Sequence, residues 1–387
     1  MNRKLTGIML AVCLLLSLAA CTQANRDTSG FSLTFITIGK GDAFLLQSPE
    51  GGAYLVDTGK AEDYPQIART LIVQGVKSLD GIFLTHGHKD HAGCLEQLLT
   101  AFPTDTVYIS GKDTVSYDAI QPESICEAAG TALVRLNGGE VLDLGGVEAA
   151  VWLPDTEDTE NENNNSLILR MTYGDTRFLL MGDAEAEEET LLLESGFPVQ
   201  ADVLKLGHHG KQDATGKAFL EAVKPSIGLI AGNAQEDPDT VNELIAGRLN
   251  EQGVSTLYSQ STGLGYELWS DGKEIHTSTL PDAVFFPALS LEFSQVNRQE
   301  QRVTIRNSSD RAADLTGCLL YSKRGDECFF FPDGFLLDGG AEVTVSCSGH
   351  EKPGDLVWPQ ENVWKPDRDK AVLYDRNMTV IAENQQK

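Results

Sequence analysis

The segment that most restricts how this chain can fold is Thr85-His86-Gly87-His88-Lys89-Asp90-His91-Ala92-Gly93, which directly follows the apolar run Gly81-Ile82-Phe83-Leu84. Three imidazoles and a carboxylate within six positions are metal-ligand types, and a loop leaving a buried strand is rigid enough to aim them. His86 and His88, two apart on an extended turn, can face one ion, while Asp90 and His91, opening the next helix, can face another. A surface cluster without function is the competing reading. Gly87 and Gly93 count against it, because they let the backbone fold tightly, and the rest of the chain supplies partners.

Those partners are Asp57 in Val-Asp-Thr-Gly, Asp183 in Leu-Leu-Met-Gly-Asp and His208-His209 in Leu-Lys-Leu-Gly-His-His-Gly. Each polar group ends an apolar strand, so sheets can bring all of them to one edge. On extended backbone, successive side chains point to opposite sides, so one of the two neighbouring histidines is expected as a metal ligand. The other is left as a group behind the ligands, a substrate contact or a leaving-group acid. We take His208 as the ligand and His209 as its catalytic neighbour.

Around these residues the pattern is short strands followed by helices. Phe31 to Thr37 alternates as a half-buried strand does, and residues 43–47 and 53–57 complete an antiparallel meander. Helical spacing spans 63–75, and a second helix begins at Cys94. Later strands at 147–153, 167–171, 178–181, 203–206 and 227–231 are separated by helical pieces around 185–195, 216–223 and 239–252. This order fits mixed sheets with helices packed outside them, a unit running from residue 31 to 280. The polar run Asp155 to Asn165 cannot be core, and its first part reads as a solvated loop. From residue 288 to 387 the pattern is strands without helices, the length of one immunoglobulin-like all-β sandwich.

With 387 residues, two packed domains are the default. The formal charge of −27 argues against a surface that clings broadly to nucleic acid or an anionic membrane. Bound dications reverse the local field, so a polyanionic substrate held at a metal site is not excluded. At the N-terminus, Arg3 and Lys4 precede an apolar stretch too short for a comfortable membrane span, ending in Leu18-Ala19-Ala20-Cys21. This resembles a bacterial lipobox, which implies a signal peptide over 1–20, lipidation of Cys21 and a polar tether over 21–30. The protein is thus expected to be exported and lipid-anchored to the outer face of the bacterial cytoplasmic membrane. Five cysteines remain beyond Cys13 and Cys21, without CxxC spacing. Buried thiols are expected for Cys94 and Cys126, with one pair among Cys318, Cys328 and Cys347 left open.

Ile38-Gly-Lys-Gly-Asp-Ala43, Val56-Asp-Thr-Gly59, Thr85 to Gly93, Asn163 to Leu169, Met181-Gly-Asp-Ala184 and Lys205 to Gly210 occur in this order over residues 31–270. In these segments the chain resembles the metallo-β-lactamase superfamily and, within it, the ComEC-like subgroup of DNA-uptake proteins. The resemblance implies an α/β fold, an αββα sandwich, with a two-metal hydrolytic site. His86 and His88 would bind one metal, and Asp90, His91 and a histidine of the 208–209 pair the other. Asp183 would bridge both, and Asp57 would orient ligands from behind. A hydroxide between two cations about 3.5–4 Å apart would attack the scissile centre.

Two departures from the resemblance are visible. No histidine lies between residues 92 and 207, where many members place a third ligand to the first metal. The corresponding stretch holds Asn165 and Ser166, harder and weaker donors that loosen Zn2+ and admit Mn2+. Asp237 stands where relatives often have a histidine before proline, and Lys211 replaces a serine after His-His-Gly and can contact an anionic substrate. The C-terminal region resembles the lamin-tail domain on Arg302 to Asn307, Asp314 to Gly317, Phe331 to Gly334, Leu337 to Gly340 and Ala371 to Asp375. It offers Trp358 and Trp364 either as a face that binds a surface polymer or as core. The implied activity is hydrolysis of phosphodiesters in DNA or nucleotides. A lactone or other ester is the alternative substrate, and a surface-binding lipoprotein with a vestigial metal site is the reading from a different class.

Overall fold

The computed structural model describes residues 30–240, 242–259, 263–280, 288–325, 327–332, 334–375 and 379–384. The expected signal over 1–20, Cys21 and the tether up to residue 29 lie outside these described residues. Among the described residues no helix is long and apolar enough to cross a membrane.

Two large sheets form the first part of the chain. From edge to edge, one runs Ile275–Leu280, Gly265–Ser270, Phe31–Ile36, Phe44–Gln47, Ala53–Val56, Leu79–Leu84, Thr104–Ser110 and Ala132–Leu136. The other runs Ser255–Tyr258, Ile227–Ile230, Val203–Lys205, Thr176–Leu180, Ile168–Tyr173, Glu148–Trp152 and Val141–Asp143. Phe31, Leu33, Phe35, Phe44, Val56 and Phe83 of the first sheet meet Leu169, Met171, Phe178, Val203 and Leu229 of the second in one buried core. On the outer face of the first sheet lie the helices Tyr64–Val73 and Leu95–Ala101, packed on Ile36, Leu45, Leu55 and Ile82. The outer face of the second is covered by Ala186–Glu194, Lys217–Val223 and Glu243–Glu251. The result is an αββα sandwich.

Covering both faces changes the reading of Phe31–Ile36. Its alternation predicts one wet side, yet all six residues are buried. The helix Tyr64–Val73 closes over the polar side, and the Gln74 amide donates to Thr34 Oγ1 at 3.2 Å. A polar alternation inside a four-layer fold thus marks a covered strand whose hydroxyls are paired.

The central strands set up the site. Ala53–Val56 and Leu79–Leu84 pair in parallel, as do Thr176–Leu180, Val203–Lys205 and Ile227–Ile230. Parallel strands end on the same edge, so Asp57, His86, Asp183, His209 and Ala231, each just past a strand, share one rim. Such crevices beyond the carboxyl ends of strands are where α/β sheets carry their sites.

Beyond residue 288 the chain forms two four-stranded sheets, Leu291–Asn297/Arg302–Asn307/Glu342–Cys347/Leu356–Trp358 and Glu327–Phe330/Leu319–Ser322/Ala371–Tyr374/Val380–Glu383, with a short pair Ala313–Asp314/Leu336–Leu337. Val303, Ile305 and Val345 meet Leu320, Phe329 and Leu373 in one core, which makes it a sandwich. Trp358 and Trp364 are fully buried there, ring to ring at 5.6 Å, so they are core and offer no binding face. Cys94, Cys126, Cys318, Cys328 and Cys347 are all buried thiols. The sandwich is not an isolated bead: Leu319, Tyr321, Cys328 and Val372 join the core under helix Tyr64–Val73. Phe330 meets the Tyr64 ring edge-on at 5.8 Å.

Candidate metal centre

The site begins with backbone that ordinary side chains avoid. Asp57, His208 and His209 have φ of 58°, 41° and 56°, in the left-handed region. Strain of this kind is tolerated where surrounding contacts over-determine it, and it gathers at functional sites. Gly41 has φ of 146°, and a Cβ there would lie 2.6 Å from the Asp90 carbonyl. Only glycine lets the 39–42 turn approach Asp90 so closely, and this approach carries Asp42 inward.

At the centre is Asp183. Its Oδ2 lies 3.0 Å from His209 Nε2 and 3.2 Å from His91 Nε2. One donor set, His86, His91 and Asp183, and another, Asp42, His91 and His209, each converge within 4.8 Å. The Asp90 carboxylate reaches His209 Nε2 at 3.5 Å. The His88 ring stands 4.5 Å from that of His86, but its Nε2 turns to Glu162 Oε2 at 3.0 Å.

The rings are held from behind. Asp57 Oδ2 accepts from His91 Nδ1 at 2.8 Å and from the Thr85 hydroxyl, and its Oδ1 accepts the Thr85 N–H at 2.7 Å. The Ala231 carbonyl accepts from His209 Nδ1 at 2.7 Å. Ser166 Oγ accepts the Asp183 N–H at 3.0 Å. Gly87 N–H donates to Asp113 and Ser116, each at 2.8 Å, which fixes the loop between His86 and His88.

With their Nδ1 atoms spoken for, His91 and His209 turn Nε2 inward, and His86 Nε2 is buried beside them. None of these three Nε2 atoms makes a directed hydrogen bond, although all three are buried. Buried polar atoms are as a rule well hydrogen-bonded, so three imidazole nitrogens gathered around one carboxylate without a directed hydrogen bond fit a cation seat. The charge balance agrees. Asp42, Asp57 and Asp183 are buried with Asp90 beside them, against one buried ammonium, Lys205. Its Nζ lies 2.5 Å from Asp42 and 3.5 Å from Asp183. Dry carboxylates in that excess need further positive charge.

The titration directions carry the same message. Burial alone would push His209 down, but Asp183, Asp42 and Asp90 push it up to about 10. His91 is driven well above its ordinary value against the cost of burial, by Asp183, Asp57 and Asp42. Burial would raise Asp183, yet His209, His91 and Lys205 hold it well below the usual carboxylate range. Burial, and then His91, keep His86 well below its ordinary value and therefore neutral. The cluster binds positive charge, and protons take the places that dications fit.

The two neighbouring histidines are placed the other way round from the expectation. His209 reaches Asp183 and Asp90, whereas His208 Nδ1 lies 3.1 Å from Asp213 and 3.2 Å from Glu185, nearer solvent. The expectation rested on an extended backbone. The structure instead has a tight turn over Gly207–Gly210, with both residues left-handed, and the alternation rule does not apply. Asn165 also departs from its expected place beside the ligands. Its amide exchanges two hydrogen bonds with the Asp158 backbone, at 2.7 and 2.8 Å, and so pins the acidic loop. Asp42 and Lys205 were not singled out as site residues. Their signal is present in the sequence, since each sits inside a segment that also carries a site histidine or a close glycine turn.

Residues 36–232 match the Metallo-beta-lactamase superfamily, slightly more than half of the chain. The chain belongs to that superfamily. ComE operon protein 3 of Bacillus subtilis is 28% identical over 277 residues, 66% of this chain and 35% of that protein. Competence protein ComA of Neisseria gonorrhoeae is 28% identical over 214 residues, 54% of this chain and 28% of that one. The chain therefore spans about a third of the length of these curated relatives, or less. Among solved structures, the metallo-beta-lactamase fold protein YhfI from Bacillus subtilis superposes with a TM-score of 0.45 at 16% identity, covering 62% of this chain and all of that one.

Proposed function

We propose that the protein is an extracytoplasmic phosphodiesterase acting on DNA or nucleotides, with two divalent cations, Zn2+ or Mn2+, held by His86, His88, Asp90, His91, Asp183 and His209. The observation that carries this reading is the set of buried, inward-facing Nε2 atoms of His86, His91 and His209 around Asp183, none making a well-directed hydrogen bond. Dications bound there would acidify water and stabilise the charge that develops on the scissile group.

The chain's own residues do the rest. Asp57 and the Ala231 carbonyl fix the tautomers of His91 and His209, leaving Nε2 lone pairs facing the centre. Ser166 and Lys205 hold Asp183 in place. His208, between Glu185 and Asp213 at the mouth, donates a proton to the departing oxygen as the P–O ester bond breaks, and water supplies the new P–O bond. The substrate class is supported by relatives that carry the names of competence proteins. The expected lipidation of Cys21 supports an anchored, exported location, and the C-terminal sandwich is proposed as a lamin-tail module. The distinguishing experiment compares bis(p-nitrophenyl) phosphate and single-stranded DNA with a lactone. Turnover of the first two that vanishes in Asp183→Ala is expected. Turnover of the lactone alone would overturn the reading.

A further inference from the structure

Lysines crowd the mouth of the centre in a chain whose net charge is −27. A cleft of about 450 Å3 beside Asp90 is lined by Lys40, Lys60, Lys89, Glu236 and Asp237. Asp237 Oδ2 lies 3.0 Å from Lys211 Nζ and 3.7 Å from Lys40 Nζ. Lys40 Nζ is also 3.4 Å from Asp90 Oδ2, which ties this group to the hydrolytic centre. Lys211 and Asp237, two of the positions at which the sequence departs from its resemblance, are therefore partners in space. Lys60 is matched by Glu236 at 2.5 Å, while Lys89 is exposed and makes no ion pair among the described residues.

We infer that Lys40 and Lys211 form a seat for an anionic group of the substrate, and that Asp237 is its resident counter-ion. Lys40 and Lys211 share Asp237, and Lys40 also meets Asp90, so net positive charge is left at the rim once Asp90 is engaged by a cation at the centre. The side chains of Lys40, Lys211 and Asp237 are only 24, 19 and 24% exposed, so that charge is less screened than on open surface. A phosphodiester brings the matching negative charge and competes with Asp237 for the lysines, whereas a neutral lactone gains nothing there. The cleft thus selects phosphate-bearing substrates at the rim, before chemistry. This deepens the phosphodiesterase reading and, for its catalytic consequence, rests on it.

The test uses the metal-loaded protein and the variants Lys40→Gln with Lys211→Ser, and Asp237→Asn. With bis(p-nitrophenyl) phosphate, the double lysine variant is expected to raise KM about tenfold with kcat within about twofold, while p-nitrophenyl acetate kinetics stay unchanged. Inorganic phosphate, measured by calorimetry, is expected to bind the double variant about tenfold more weakly and Asp237→Asn about threefold more tightly. Opposite signs would not arise from a merely structural role. Unchanged phosphate affinity in the folded double variant overturns the seat, and weaker phosphate binding by Asp237→Asn overturns its role as counter-ion. If the wild type hydrolyses only the neutral ester while the phosphate effects hold, the phosphodiesterase reading fails and the seat stands.

Discussion

Asp57 and Lys205 show how much of this centre is done by residues that touch no substrate. Asp57 has φ of 58°, which asparagine also tolerates, so Asp57→Asn adds no backbone strain. Its new NH2 group cannot accept from His91 Nδ1, so the ring loses the partner that aims Nε2. Metal affinity is expected to fall by about 10–100-fold, read by competition with a chromophoric chelator, with little change in melting. Lys205 is fully buried between Asp42 and Asp183. Lys205→Met leaves those carboxylates uncompensated, and urea unfolding of the metal-free protein is expected to show a loss of about 3–5 kcal/mol that added dication partly restores. At this scale the sequence was readable where chemistry repeats in a local motif, as in His86, His91 and Asp183. It was not readable where backbone dihedrals decide. His208 and His209 carry the same side chain, and only the left-handed turn distinguishes the one turned inward. A lysine in an apolar strand, Lys205, declares its partners only when Asp42 arrives from residues 39–42.

Elements tie the site to the fold through a few buried polar contacts. Glu189, on helix Ala186–Glu194, accepts the N–H groups of Thr215 and Gly216 at 2.5 and 2.8 Å, fastening that helix to the start of Lys217–Val223 just beyond the His208-His209 turn. Burial pushes its carboxyl up to about 7. The folded state therefore holds a proton there that the unfolded chain gives up near 4.5. The stabilisation is complete below that value and is lost as pH rises through about 7. Glu189→Gln is expected to flatten the decline of stability between those pH values, followed by urea midpoints at each pH. A wild-type slope retained in the variant would assign the titration to another group. Most inner strands were legible from apolar runs, though Gly265–Ser270, beside Phe31–Ile36, was not. Thr104–Ser110 and Ala132–Leu136 were not, because they lie toward one edge of their sheet and carry exposed polar and charged side chains that blur the period. The same edge position explains Val141–Asp143 on the other sheet.

For the whole molecule, a net charge of −27 disfavours broad adhesion of polyanions, and the proposed function needs the lysines at the rim to admit one at the site. The C-terminal sandwich was visible as a change to strands without helices, but its union with the core of the first part of the chain was not, since Leu319, Tyr321 and Val372 look like any inward strand residues. Phe330 packs against Tyr64 and Phe102 across that junction. Phe330→Ala is expected to cost about 2–3 kcal/mol, toward the low side for a half-buried ring, and to split a single calorimetric transition into two. In the proposed function, His86, His91, Asp183 and His209 hold the metals on which turnover depends. Metal content of the purified protein, measured together with phosphodiester turnover before and after chelation, tests it most directly. Between one and two divalent ions per chain, with turnover lost on chelation and regained on adding the metal, is the result predicted. Fewer than one ion per chain with turnover indifferent to chelator would contradict it.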